Sequence, residues 1–338
     1  MTVEFTNIVV YTIENHSFDQ LLGYFPGADG LNPDMEVSGP HGRLKPFALG
    51  TWSLAQWSNP NHSWEAIHHE WNHGAMNGFG PCTMGYYRPD RFPGFVDLAR
   101  KSRVLDHYHC AVLGPTFPNR LYLIAGTSNG LKNDLKPWSF KTFDMPTLFD
   151  QLENVGVGWK YYVGDFCPGP TGALLAHALL FCPLLWFPRF RHPPLSRSVV
   201  PLAQFFDDAR EGTLPAVTFL APGIYYSGHP PLSLGTSLDS VRLVYETLKQ
   251  GPQWANMLLV INFDEAGGYY DHVAPPVVDP FGPGIRVPAL VLADHLSPGV
   301  IHETFDHTSV LRLIEEHFSL PLLGERTRIM PSLLAALS

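Results

Sequence analysis

Four short runs, Ile8–Ile13, Val217–Leu220, Met257–Phe263 and Val287–Ala293, are apolar at nearly every position and rich in β-branched residues. Runs of this length without alternation predict strands buried on both faces. Between them the period changes to that of helices. Asp144 with Pro146 two residues on predicts a helix start, closed by Gly156; Ser237 to Gln250 is amphipathic and stops at Gly251-Pro252; His307 to Phe318 is a third helix. Strands alternating with helices predict an α/β fold, a three-layer sandwich with a mostly parallel central sheet. The Pro/Gly-rich stretches 168–172, 188–201 and 275–288 read as surface loops within a single catalytic domain, residues 1–338, with a variable insertion around 166–201. There is no internal repeat.

The longest apolar stretch, Ala173 to Phe187, is interrupted by His177 and Pro183. It falls short of the ~18–20 residues needed to span a bilayer, and so predicts a buried helix or a lid near a site mouth. The N-terminus runs from Met1-Thr-Val-Glu-Phe5 straight into the first strand, without the basic start, apolar stretch and small-residue cleavage site of an export signal. On that ground the expected localisation is cytoplasmic.

Composition narrows the function. The 338 residues carry 22 Lys and Arg against 31 Asp and Glu, a formal charge of −9, so no electrostatic excess exists to draw in a nucleic-acid backbone. Forty-five per cent hydrophobic content with 22 Phe, 13 Tyr and 8 Trp supports a sizeable core. Cys82, Cys110, Cys167 and Cys182 are too scattered for a disulfide framework, and no C-x-x-C pair suggests zinc. The 16 histidines stand out, because histidine both binds metals and titrates near neutrality.

In a parallel α/β sheet, ligands collect beyond the carboxyl ends of the strands. The first strand runs into Glu14-Asn15 and the third apolar run into Asp264-Glu265, bringing carboxylates and an amide to one edge. Such oxygen-rich convergence suits a divalent cation, with solvated loop starters as the bland alternative. Gly267-Gly268 adds a turn that allows close backbone approach. In Gly114-Pro-Thr-Phe-Pro-Asn-Arg120, Thr116 sits at a helix start, where it serves as an ordinary cap or as a metal-activated nucleophile. His229, in Ser227-Gly-His-Pro-Pro231, and His272 follow strands aimed at the same edge and are candidates for phosphate contact or proton transfer.

Two short motifs compete. His69-Glu-Trp-Asn-His73 fits the H-E-x-x-H pattern of zinc peptidases, in a segment already crowded with histidines. Gly126-Thr-Ser-Asn-Gly130 fits the G-x-S-x-G of serine esterases, but the polar, proline-broken stretch Leu131–Pro137 after it does not suit a helix.

A wider pattern decides between these. Glu14-Asn-His-Ser-Phe-Asp19, His62-Ser-Trp-Glu-Ala66 with Trp71-Asn72 and Met76-Asn-Gly-Phe79, Met84-Gly-Tyr-Tyr87, Val112 to Leu123, Asp264-Glu265 with Gly267-Gly268 and Asp271-His-Val273, and Phe305 to Arg312 follow one another in a fixed order. In these segments the chain resembles the bacterial phosphoesterase family of phosphatidylcholine-type phospholipases C and acid phosphatase A enzymes, relatives of the alkaline phosphatase superfamily. The resemblance implies an alkaline-phosphatase-like fold and a phosphoester hydrolase working through a phospho-threonine. It implies phospholipase C-type cleavage of a phosphodiester, with acid phosphatase activity as the alternative. Thr116 then matches the nucleophile, and Glu14, Asn15, Thr116, Asp264 and Glu265 match the ligands of one divalent ion, Mg²⁺, Mn²⁺, Ca²⁺ or Zn²⁺. His62 and His229 match histidines that serve the phosphoryl oxygens or the leaving group; His272 is placed by motif alone.

The expected partner is a phosphoester, including phospholipid at a membrane surface, with Trp52, Trp57, Trp186 and Leu179–Phe187 as an apolar approach. The family is usually exported, which sets a processed exported form against the missing signal. Asn77, Ala266 and Pro231 depart from the family pattern, and Pro231 stands near where a second histidine is usual. Larger members carry C-terminal β domains, which the short stretch after Phe318 does not accommodate. A non-enzymatic binding protein on the same scaffold remains the rival from another class.

Overall fold

The computed structural model describes residues 5–50, 58–135, 142–165 and 178–338. Trp52, Trp57 and the first part of the 166–201 insertion lie outside the described residues. One eight-stranded sheet organises the chain, formed by β1 (Asn7–Ile13), β2 (Arg103–Leu105), β3 (Trp159–Val163), β4 (Val199–Pro201), β5 (Val217–Ala221), β6 (Met257–Phe263), β7 (Ala289–Leu292) and β8 (Gly299–Ile301). Their order across the sheet is β8-β2-β7-β6-β1-β5-β3-β4. β7 alone is reversed, pairing antiparallel with both β6 and β2, so the sheet is mostly parallel as expected. The fourth apolar run is this reversed strand, trimmed to Ala289–Leu292.

β1 and β6 are buried at every position, which requires cover on both faces of the sheet. The cover comes from helices α1 (Trp64–Trp71), α2 (Pro93–Ala99), α3 (Thr116–Ala125), α4 (Leu148–Val155), α5 (Leu202–Glu211), α6 (Leu234–Gln250) and α7 (His307–His317). α3 packs on α7 and α4, whereas α6 packs on α2 and α5, giving two helical groups. No helix among the described residues is long and apolar enough to cross a membrane.

Helix ends differ from expectation where a better cap lies nearby. α4 begins after Thr147 rather than at Asp144, because Thr147 and Asp150 form a reciprocal capping box. Ser233 caps α6, which begins at Leu234, three residues before the expected start. In the apolar stretch, the described part is a helical turn followed by a 3-10 turn, Pro183–Trp186. Leu184 to Phe187 are buried, and the Trp186 indole N–H donates to Leu179 O at 2.7 Å, so this part is core.

The register of β1 on β6 positions the site. Ile13 lies opposite Phe263, so the two strands end level and Glu14 and Asp264 leave the sheet side by side. The Asp264 N–H donates back to Ile13 O at 2.9 Å.

Candidate active site

Beyond that edge the two strand ends interlock. Asn15 N–H donates to Asp264 Oδ1 at 3.2 Å and His16 N–H to Glu265 O at 3.1 Å. Asn15 is held left-handed, at φ 51°, and the following turn packs against it. A Cβ on Gly267 would stand 2.8 Å from the Asn15 Cβ, which explains the glycine there. Glu14, Asn15, Asp264 and Glu265 are all buried.

Thr116 opens α3 as the sequence predicts, after the extended Pro115. Asn119 shapes the approach by accepting Val112 N–H at 2.7 Å and donating to the carbonyls of Val112, Gly114 and Pro115. One turn after Thr116, Arg120 is buried and reaches both acidic strand ends: Nη2 donates to Glu14 Oε1 at 2.8 Å and Nε to Asp264 Oδ2 at 2.9 Å. Its Nη1 donates to Phe181 O at 2.8 Å. A third carboxyl, Asp134, accepts Phe117 N–H at 2.7 Å, and burial pushes its pKa up to about 7.

Glu14, Asp264 and Glu265 bring three carboxyl groups together around the single guanidinium of Arg120. Burial, reinforced by Asp264, raises the pKa of Glu14 and Glu265 well above the carboxylate range. Asn15 Oδ1 and Glu265 Oε1 are buried without a hydrogen-bond partner. Orphaned oxygens, and carboxyls whose charged form burial disfavours, are what a divalent cation relieves, so these residues fit the expected ion.

His62 Nε2 lies 3.4 Å from Asn15 Nδ2 and 3.6 Å from Glu265 Oε1. Its Nδ1 donates to Pro60 O at 2.7 Å, which leaves Nε2 as the acceptor of the neutral ring, and burial lowers its pKa. The His229 ring stands 5.8 Å away, with Nδ1 bonded to Pro230 O at 2.7 Å. His229, Thr116, Glu14 and Asp134 line one cavity of about 390 Å³, whose walls include Phe117, Leu180, Phe181, Ile224 and Pro231. Five of the sequence candidates, Glu14, Asn15, Asp264, Glu265 and His62, thus join in one contact network, and Thr116 and His229 join Glu14 in the cavity.

His272 belongs to a different group. Its Nδ1 lies 2.8 Å from Asp19 Oδ2 and its Nε2 3.3 Å from Asp29 Oδ1. Burial works to lower its pKa but is outweighed by Asp19 and Asp271, which push it up to about 9. Asp19, Asp271 and His272 bring ligand atoms within 4.8 Å of one another, a possible metal site. Arg286 already donates to Asp271 Oδ1 at 2.8 Å and Asp19 Oδ1 at 3.0 Å. With His272 protonated, two cations already face Asp19, Asp271 and the part-exposed Asp29, so this group fits an added cation less well than the Glu14 cluster.

The two competing motifs do not assemble. α1 ends at Trp71, and Asn72 and His73 turn left-handed at φ 42° and 56°, so His69 and His73 do not share a helix face. Gly126-Thr-Ser-Asn-Gly130 follows a helix instead of a strand, and Ser128 Oγ is spent on Leu131 O at 2.8 Å.

Residues 5–321 match the Phosphoesterase family. The chain belongs to that family. The resemblance carried by the ordered segments from Glu14 to Arg312 is borne out, and the protein is a hydrolase of phosphoric esters. Phospholipase C B of Mycobacterium tuberculosis is 29% identical over 393 residues, covering 94% of this chain and 74% of that protein. Hemolytic phospholipase C of Pseudomonas aeruginosa is 29% identical over 385 residues, covering 92% of this chain and 52% of that protein. The crystal structure of Ps i-CgsB aligns with 99% of this chain and 76% of its own at 11% identity and a TM-score of 0.51, a likeness of fold.

Two residues of this candidate site were missed in the sequence. Arg120 is four residues after Thr116 on a helix, a spacing that puts both on one face and could have been used. Asp134 had no such signal, since it arrives from a loop 17 residues beyond Phe117.

Proposed function

We propose that this phosphoesterase cleaves phosphodiesters in the manner of a phospholipase C, with Thr116 as nucleophile. The observation that carries the reading is one cavity lined by Thr116, Glu14 and His229, beside buried oxygens that lack partners. Thr116 Oγ attacks phosphorus, the ester alcohol leaves, and a phosphorylated Thr116 remains until water releases the phosphorylated headgroup. Thr116 stands at the positive end of the α3 dipole, which stabilises negative charge there. Arg120 holds Glu14 and Asp264 in place, while His62 and His229, each with Nδ1 occupied, present Nε2 to accept the proton of Thr116 and, once protonated, to donate to phosphoryl oxygens or the leaving group. Glu14, Asn15, Thr116, Asp264 and Glu265 are the residues that would hold a divalent ion, which supplies charge neutralisation and lowers the pKa of a coordinated hydroxyl.

The apolar cavity walls favour a lipid diester over a small monoester. Tyr225 and Tyr226, 69% and 51% exposed, follow the cavity residue Ile224 and offer amphipathic rings suited to a membrane surface. The test compares p-nitrophenyl phosphorylcholine with p-nitrophenyl phosphate under each of the four metals. Faster cleavage of the diester is expected. Preference for the monoester would shift the reading to an acid phosphatase, and cleavage of neither would leave a binding protein.

A further inference from the structure

The loop after α3 touches both helices that start beside the site. Its bend is made by Ser128, which donates Oγ–H to Leu131 O at 2.8 Å and accepts Leu131 N–H on its own carbonyl at 3.0 Å. The three residues that follow are then used in succession. Lys132 Nζ lies 4.9 Å from the Trp64 ring centre. Asn133 Oδ1 accepts Trp64 N–H at 2.7 Å while its Nδ2 donates to Glu65 Oε2 at 3.1 Å. Asp134 accepts Phe117 N–H at 2.7 Å.

Each bond fills a place that the helix itself leaves open. The α1 cap, Ser63, serves Ala66 N–H and leaves Trp64 N–H to Asn133. The α3 cap is Pro115, whose side chain can accept nothing, so Phe117 N–H goes to Asp134. Trp64 is two residues from His62, and Phe117 is next to Thr116. The three segments meet at Gly114, where an added Cβ would lie 3.2 Å from Lys132 O and 3.4 Å from Trp64 Cε3.

We propose that Asn133 is a positioning residue which, with Asp134, fixes His62 relative to Thr116 by clamping the starts of α1 and α3 to one loop. The Gly126 to Gly130 motif is the bend that delivers this clamp. The inference rests on the phosphodiesterase reading, because it assigns Asn133 an effect through His62.

The test is a double-mutant cycle in the full chain with p-nitrophenyl phosphorylcholine, using Asn133→Ala, His62→Ala and the pair, with thermal unfolding of each. Asn133→Ala is expected to lower kcat about tenfold with KM nearly unchanged, the cost of misplacing a reacting group. In the His62→Ala background it is expected to have no further effect. Asn133→Asp combined with Glu65→Gln, which keeps the acceptor for Trp64 N–H and exchanges donor and acceptor in the bond to residue 65, is expected to restore most of kcat. Multiplicative losses in the cycle, or no rescue by this swap in folded protein, would overturn the proposal. If Asn133→Ala does not fold, the swap decides alone, supporting the clamp with near-normal kcat and sinking it with a tenfold loss. Wild type that cleaves no phosphoester refutes the enzymatic reading and this inference together; active wild type with an additive cycle refutes only the inference.

Discussion

Arg120 lies one helical turn beyond Thr116, and its Nη2 donates to Glu14 Oε1 at 2.8 Å, so the helix that opens with Thr116 is tied directly to the end of β1. The same guanidinium reaches Asp264 at the end of β6. Three elements far apart in sequence therefore share one buried cation.

Removing that cation leaves two buried carboxylates facing each other. Arg120→Ala is expected to destabilise the fold by about 3–5 kcal/mol, as breaking one side of a buried ion pair does. Urea unfolding of wild type and variant checks this. A change under ~0.5 kcal/mol, the range of ordinary surface substitutions, would show that the carboxylates are not paired with Arg120 in solution.

The His272 group predicts a pH dependence of stability. Its pKa is raised from 6.5 to about 9 in the fold, so its contribution is fully present below pH 6.5 and is lost as pH rises through about 9. Wild-type stability is expected to carry this loss between those limits, and His272→Gln to remove it. Thermal melts across that range test the sign; a wild-type contribution that grows with pH would contradict the placement of His272 between Asp19 and Asp271.

Much of this arrangement was legible in the sequence. β1 and β6 were visible as fully apolar runs, and the acidic pairs after them were visible because a parallel sheet gathers strand ends at one edge. Thr116 was visible as a helix start. What stayed hidden depended on side chains crossing between segments. Nothing local distinguishes His272 after β6 from His62 before α1, yet one bonds Asp19 and the other lies beside Glu265. The H-E-x-x-H pattern misleads for a similar reason, since its four-residue spacing has meaning only on an unbroken helix, and Asn72 ends this one.

Metal removal separates the Glu14 cluster from the Asp19 group. Chelation is expected to abolish hydrolysis, with recovery on return of Mg²⁺, Mn²⁺, Ca²⁺ or Zn²⁺. Glu265→Gln is expected to raise the metal concentration for half-maximal rate about tenfold or more, since it removes a charged ligand. Asp271→Asn would leave that concentration unchanged. Full activity in chelator would remove the metal from the account.

The nucleophile is the centre of the account, and covalent trapping addresses it most directly. Wild-type protein mixed with excess p-nitrophenyl phosphorylcholine, quenched in acid, digested and read by mass spectrometry is expected to carry phosphocholine on the Thr116 peptide, and Thr116→Ala to carry none. An adduct on another residue, or rapid turnover by Thr116→Ala, would contradict it.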